Sequence, residues 1–443
     1  MSRLVIVSNR VPSLRERNQP AGGLAVALKD AVAAHETLWF GWSGRTSAGA
    51  AGPPQIAHSR RLTLATVDIP TELFRGYYEG FSNGTLWPLL HWRTGLAEFS
   101  RTHFEAYMAV NEQFADALAP LLRPGDLVWV HDYHLIPLGA LLRARVERVR
   151  LGFFLHIPFP PAPLFETLPQ SKRLLEAFGA YQLVGTQTKA DARHLSQALR
   201  DVGVETQVEG FPIGIDTAGF AAAAEKAATG PEVERLRSSL GGRALILGVD
   251  RLDYSKGLPE RLRGYAALLR RFPQHRNHVT FLQVAPVSRG EIGRYRALRR
   301  ELDELAGRIN GENAEFDWTP VRYMTRSVAR NTLAGFHRIA RVGLVTPLRD
   351  GMNLVAKEFV AAQDAHNPGA LVLSQFAGAA EELDAAILVN PHDPDEIAEA
   401  VDSALSMPRE ERIARWRSMY EIVKRGTARV WAAEFLERLE QTG

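Results

Sequence analysis

At 443 residues the chain exceeds the roughly 250–300 residues at which a single core stops growing, so two domains are expected. A hydrophobic fraction of 46% with 23% charged residues excludes a disordered or fibrous chain, and the absence of cysteine excludes disulfides, thiolate metal sites and a cysteine nucleophile. The net charge of +3 falls short of the basic stripe of a nucleic-acid binder, and with no apolar run of ~18 residues and no signal peptide the expectation is a cytoplasmic protein without nucleic-acid or membrane partners.

Short apolar runs rich in β-branched residues alternate with helical stretches along the whole chain, the pattern of α/β domains with parallel strands buried on both faces. The first run, Leu4–Ser8, ends in Asn9-Arg10. Arg10 fits a bidentate grip on a phosphate as well as a surface ion pair. Next, Ala21-Gly22-Gly23-Leu24 opens a helical stretch, where Gly22 and Gly23 suit either close backbone approach to a ligand or an ordinary turn. Gly44–Pro54 reads as a mobile loop. Tyr77-Tyr78-Glu79-Gly80-Phe81-Ser82-Asn83, followed by Leu86-Trp87-Pro88, is aromatic without amphipathic spacing and suits stacking on a sugar or packing in a core.

Leu127–His131 leads into Asp132-Tyr133-His134, and Leu151–Ile157 carries His156 into a Pro-rich segment. Ionisable side chains at the ends of apolar strands need partners or a role, here bonding sugar hydroxyls or a satisfied structural histidine. A metal site is rejected, because His131 and His134 lack zincin spacing and no carboxylate cluster supports them. Leu183–Thr188 is the last strand expected before a domain crossover near residue 217. The first domain is therefore 1–217 and the second 218–419, with a C-terminal helix at about 420–443, over Ser418–Leu439, folding back.

In the second half the expected strands are Ala244–Asp250, Val279–Ala285, Val342–Pro347, Ala370–Gln375 and Ala386–Asn390. The first runs into Arg251-Leu252-Asp253-Tyr254-Ser255-Lys256-Gly257, two cations in one loop after a strand, suited to the charge that develops on a departing nucleoside diphosphate. Arg289 repeats the arrangement after Val279–Ala285. After Val342–Pro347, Asp350-Gly351-Met352-Asn353 precedes a helix from Leu354, whose first amides suit a diphosphate, and Gly351 permits an unusual backbone conformation. Glu358, four residues into that helix, suits the hydroxyls of a ribose.

These residues resemble a known family. Ser8-Asn9-Arg10, Ala21-Gly22-Gly23-Leu24, Phe40-Gly41-Trp42, His131-Asp132-Tyr133-His134, Phe154–Pro160, Arg251–Gly257 and Asp350–Glu358 are similar, in order across nearly the whole chain, to the motifs of trehalose-6-phosphate synthases, glycosyltransferase family 20. The resemblance implies an α/β fold of the GT-B class, two facing Rossmann-like domains with a deep interdomain cleft, and neither cofactor nor metal. It implies that Arg10, Tyr78, Trp87 and Arg289 hold glucose 6-phosphate, with Asp132 on the acceptor sugar. Gly22, Gly23, Arg251 and Lys256 are implied for the donor nucleotide-glucose, Asp350, Gly351, Met352, Asn353, Leu354 and Val355 for its glucose, and Glu358 for its ribose. His156 is implied to bond the transferred glucose. Asp132, His156, Arg251, Lys256 and Asp350 are thus the expected catalytic set, in a front-face reaction with no enzymic nucleophile. The base of the donor stays open, UDP-glucose being expected, and a homo-oligomer, dimer or tetramer, is a further expectation.

Overall fold

The structure is a computed structural model that describes residues 3–12, 28, 36–49, 52–59, 61–287 and 293–442. It divides into two compact units, Met1–Ile213 with Ala428–Gly443, and Gly214–Thr427. Among the described residues no helix is long and apolar enough to cross a membrane.

The first unit holds β1 (Leu4–Arg10), β2 (Thr37–Ser47), β3 (Gln55–Ser59), β4 (Leu62–Pro70), β5 (Leu127–His131), β6 (Arg150–Phe154), β7 (Leu183–Thr186) and β8 (Gln207–Gly210). They form one sheet in the order β3-β4-β2-β1-β5-β6-β7-β8. All neighbours are parallel except β3 and β4, an exposed antiparallel edge. The strands β1 and β5 are buried over Leu4–Val7 and Leu127–His131, as expected of central strands covered on both faces. Helix Ala428–Gln441 seats Trp431 and Phe435 against Trp129 of β5, at 4.9 and 4.7 Å between ring centroids. It can do so because Gly152 and Gly185 leave room on β6 and β7, where an added Cβ would stand 2.9 Å from the Phe435 ring in each case.

The second unit holds β9 (Ala244–Val249), β10 (Val279–Val284), β11 (Val321–Met324), β12 (Val342–Val345), β13 (Ala370–Ser374) and β14 (Ile387–Val389), an all-parallel sheet in the order β11-β10-β9-β12-β13-β14. Helices Leu258–Arg271 and Pro394–Ser406 cover one face of its core.

Several expected boundaries move, each for a local reason. The Leu151–Ile157 run stops pairing at Phe154, ahead of Pro158 and Pro160, and the Leu183–Thr188 run stops at Thr186 because Thr188 caps the next helix, its side chain accepting from Asp191 N–H. Strand β2 runs through Gly44 to Ser47, where a loop was expected. The single helix expected over Ser418–Leu439 is two, Arg409–Arg425 and Ala428–Gln441, parted at Gly426.

Candidate active site

In the first unit the chemistry-bearing residues stand at the carboxyl ends of β1, β5 and β6. The guanidinium of Arg10 lies 6.0 Å over the ring of Trp42, which in turn lies 6.0 Å from Tyr78. Tyr78 also stacks on His134, 5.9 Å away and 11° from coplanar. Tyr78 belongs to a π-helix, Arg75–Leu86. That explains a run of aromatics without the ordinary helical period, since π-helix bonding spans five residues and is common at functional sites. Within it Asn83 Nδ2 donates to the carbonyl of Tyr78 at 2.7 Å, and Asn83 Oδ1 accepts from Tyr133 at 2.9 Å. Trp87 is buried, 4% exposed, with its ring 5.6 Å from that of Tyr133. Arg10, Tyr78 and His134 are thus joined through a chain of ring contacts that includes Trp42, with Trp87 packed behind Tyr133.

Asp132 follows β5 with φ 77° and ψ 164°, a backbone region that is essentially glycine's own. Its Oδ1 accepts the backbone N–H of His156 at 3.3 Å, which brings these two together. Nε2 of His156 lies 3.0 Å from Nδ1 of His131, and Nδ1 of His156 lies 3.2 Å from the amide nitrogen of Gln187. Burial lowers the pKa of His156 to about 3. His131 is lowered as well, first by burial and then by His156, so both rings are neutral. Neither Gln187 nor the His131 bond was foreseen from the sequence. Their only signal was position, Gln187 just past the strand Leu183–Thr186 and His131 at the end of β5.

In the second unit Lys256 Nζ bonds Asp350 Oδ2 at 2.5 Å, and Asn353 Nδ2 donates to the same oxygen at 3.1 Å. Arg251 is exposed, with Nε 3.5 Å from the buried Asp253. The turn that presents Lys256 ends at Gly257, φ 62°, where a Cβ would meet the carbonyl oxygen of Thr346 at 2.3 Å. The unusual conformation expected at Gly351 falls instead on Asn353, φ 93°, whose Oδ1 accepts from Ala356 N–H and caps helix Leu354–Ala362. Met352 and Asn353 are buried and Leu354 and Val355 half-buried at this helix start, where the first amides have no intrahelical partner. Glu358 faces Arg330, 3.6 Å away. Burial raises its pKa to about 7 against the pull of that arginine.

Sequence reasoning missed Arg261, which is fully buried. Its guanidinium bonds Asp250 Oδ2 at 2.8 Å, Gln283 Oε1 at 3.0 Å, Thr346 Oγ1 at 3.0 Å and the carbonyl of Lys256 at 3.3 Å. One cation therefore ties the ends of β9, β10 and β12 to the loop that carries Lys256. Gly22, Gly23 and Arg289 lie outside the described residues. Among the described residues no group of three metal-ligating side chains occurs.

The profile of glycosyltransferase family 20 matches residues 2–441. A trehalose-6-phosphate synthase of Sinorhizobium fredii is 47% identical over 459 residues, covering 99% of this chain and 98% of its own. The structure of a UDP-forming alpha,alpha-trehalose-phosphate synthase from Burkholderia xenovorans in complex with glucose-6-phosphate matches with a TM-score of 0.95 at 44% identity, over 99% of this chain and 100% of that one. An E. coli structure bound with UDP-2-fluoro glucose matches with a TM-score of 0.94 at 43% identity, over 99% of each chain. The two sheets, parallel but for the β3–β4 edge, are those of the GT-B class, and the chain is a glycosyltransferase that belongs to family 20, with the trehalose-6-phosphate synthases.

Proposed function

We propose that the chain transfers glucose from UDP-glucose to glucose 6-phosphate with retention of configuration, giving alpha,alpha-trehalose 6-phosphate and UDP. The observation that carries this reading is the cluster of Lys256, Asp350 and the start of helix Leu354–Ala362 at the ends of β9 and β12, a cation, a carboxylate and a helix N-terminus within one unit. The relatives bound to glucose-6-phosphate and to UDP-2-fluoro glucose support the two substrate classes.

In this reading Arg10, Tyr78, Trp87 and Arg289 hold the acceptor phosphate and sugar, and Asp132 orients the acceptor hydroxyls. Gly22 and Gly23 approach the donor. Arg251 and Lys256 stabilise the charge that develops on the leaving diphosphate, and Glu358 accepts from the ribose. Asp350, His156 and the backbone of Gly351, Met352, Asn353, Leu354 and Val355 hold the transferred glucose. The bond from the anomeric carbon to the phosphate oxygen breaks as the bond to the acceptor oxygen forms on the same face. The acceptor proton passes to the departing phosphate, so no side chain acts as a nucleophile.

Incubating the protein with glucose 6-phosphate and UDP-, ADP- or GDP-glucose, and following nucleotide release and disaccharide phosphate, tests the reaction. UDP-glucose is expected to give the highest turnover, and no disaccharide phosphate from any donor would overturn the reading. Lys256→Ala is expected to lower turnover about tenfold or more, because one fixed charge on the leaving group is lost. Near-normal turnover would remove Lys256 from that role.

A further inference from the structure

The side chain behind His156 determines how that ring is protonated. Gln187 follows β7 and is 2% exposed. Its two amide ends are told apart by their neighbours. The backbone N–H of Ile213, which can only donate, lies 2.9 Å from Oε1, so Oε1 is the accepting end. The end facing His156 Nδ1, at 3.2 Å, is therefore the NH2 group, which can only donate. His156 Nδ1 must accept, and a neutral imidazole then carries its proton on Nε2. That proton points to His131 Nδ1, 3.0 Å away, so His131 in turn carries its own proton on Nε2. Both nitrogens of His156 are engaged. A sugar hydroxyl that reaches Nε2 must share its proton, and only this tautomer has a proton there to share.

We propose that Gln187 is a positioning residue for the transfer: held by Ile213 N–H, its amide sets the tautomer and ring orientation of His156 and, through it, the polarity of the His131–His156 pair. The proposal rests on the reading of His156 as a contact to the transferred glucose. Ile213 is also the residue at which the chain first leaves this unit, and the backbone of His156 is bonded to Asp132 Oδ1. Gln187 therefore lies in one hydrogen-bonded series with His156 and Asp132, two residues read here as sugar contacts. Around the His156 ring stand His131 from β5, Asp132 after it, and the indole of Trp431, 5.9 Å away between centroids.

The test uses the full chain labelled with nitrogen-15 in its histidines, with His156 assigned from the signals lost in His156→Asn. Long-range proton–nitrogen spectra at neutral pH are expected to show His156 of the wild type protonated on Nε2 alone. Gln187→Glu puts an acceptor where the donor stood, so a proton is expected on Nδ1. Turnover is then expected to fall about tenfold or more, the range for a misplaced contact, while the Kd for UDP is unchanged. Gln187→Met, which keeps length without polarity, is expected to lose turnover likewise at an unchanged UDP Kd. A wild-type ring protonated on Nδ1, a Gln187→Glu ring with the wild-type tautomer, or full turnover in Gln187→Met would each overturn the proposal. If the wild type forms no disaccharide phosphate, it is the reaction assignment that fails, and the spectra still decide the tautomer.

Discussion

Asp132 pays for its place at the end of β5 with a backbone conformation that costs about 1–3 kcal/mol in any residue but glycine. Such a cost persists where a side chain is needed at that point. Asp132→Gly is expected to raise the stability of the first unit by about 1 kcal/mol, read from a denaturant midpoint, and to abolish disaccharide phosphate formation. A less stable variant would show that the carboxylate's bond to His156 N–H outweighs the strain. At this scale the sequence was informative about exposed chemistry and silent about buried chemistry. Lys256 and Asp350 were legible because each ion stands in a loop just past an apolar strand. Arg261 was not, because two arginines and a glutamate share the first turns of its helix and only packing shows which one is turned inward. Gln187 was hidden for a related reason: an amide next to a capping threonine reads as ordinary helix-start polarity.

Among elements, the parallel strands were the most legible, since burial on both faces leaves a continuous apolar run. Strands β2, β3, β4, β8 and β11 went unread, being broken by glycine and polar residues or, in β3, wholly exposed. The π-helix could not be read from periodicity at all, because its turn matches neither the helical nor the strand repeat. The C-terminal helix was expected from its aromatics, and its contacts show why they are there: Trp431 lies within 5.0 Å of Phe154 and 4.9 Å of Trp129, on strands far earlier in the chain. Trp431→Ala is expected to destabilise the first unit by about 3–5 kcal/mol, the usual cost of an emptied aromatic site, measured by urea unfolding. A loss below about 1 kcal/mol would mean that the helix is dispensable to the sheet it covers.

For the whole molecule, the two units carry different acid–base liabilities, one-signed in the first and mixed in the second. In the first, burial holds His131 and His156 neutral, the latter down to about 3. An unfolded histidine takes up its proton near pH 6.5, so below that the unfolded state binds more protons and stability falls as pH falls. In the second unit His337, lowered to about 4, acts in the same sense. Glu358, raised to about 7, acts in the other, and Asp250 is also raised by burial. There the folded state holds protons that the unfolded state has already released, so stability rises as pH falls from 7. Scanning calorimetry with limited proteolysis at pH 7 and pH 5 is therefore expected to show the first unit opening at lower temperature on acidification while the second shifts less. An equal shift in both would refute the balance. The pairing of Lys256 with Asp350 also bears on the proposed transfer. Ammonium and carboxylate neutralise each other in this pair, so in the proposed transfer a nucleotide sugar would not meet a bare charge but would exchange partners, its phosphate taking the ammonium and its hydroxyls the carboxylate. Departure of the product would then let the two ions pair again, so that each turnover of the proposed reaction would begin and end with the same self-quenched pair.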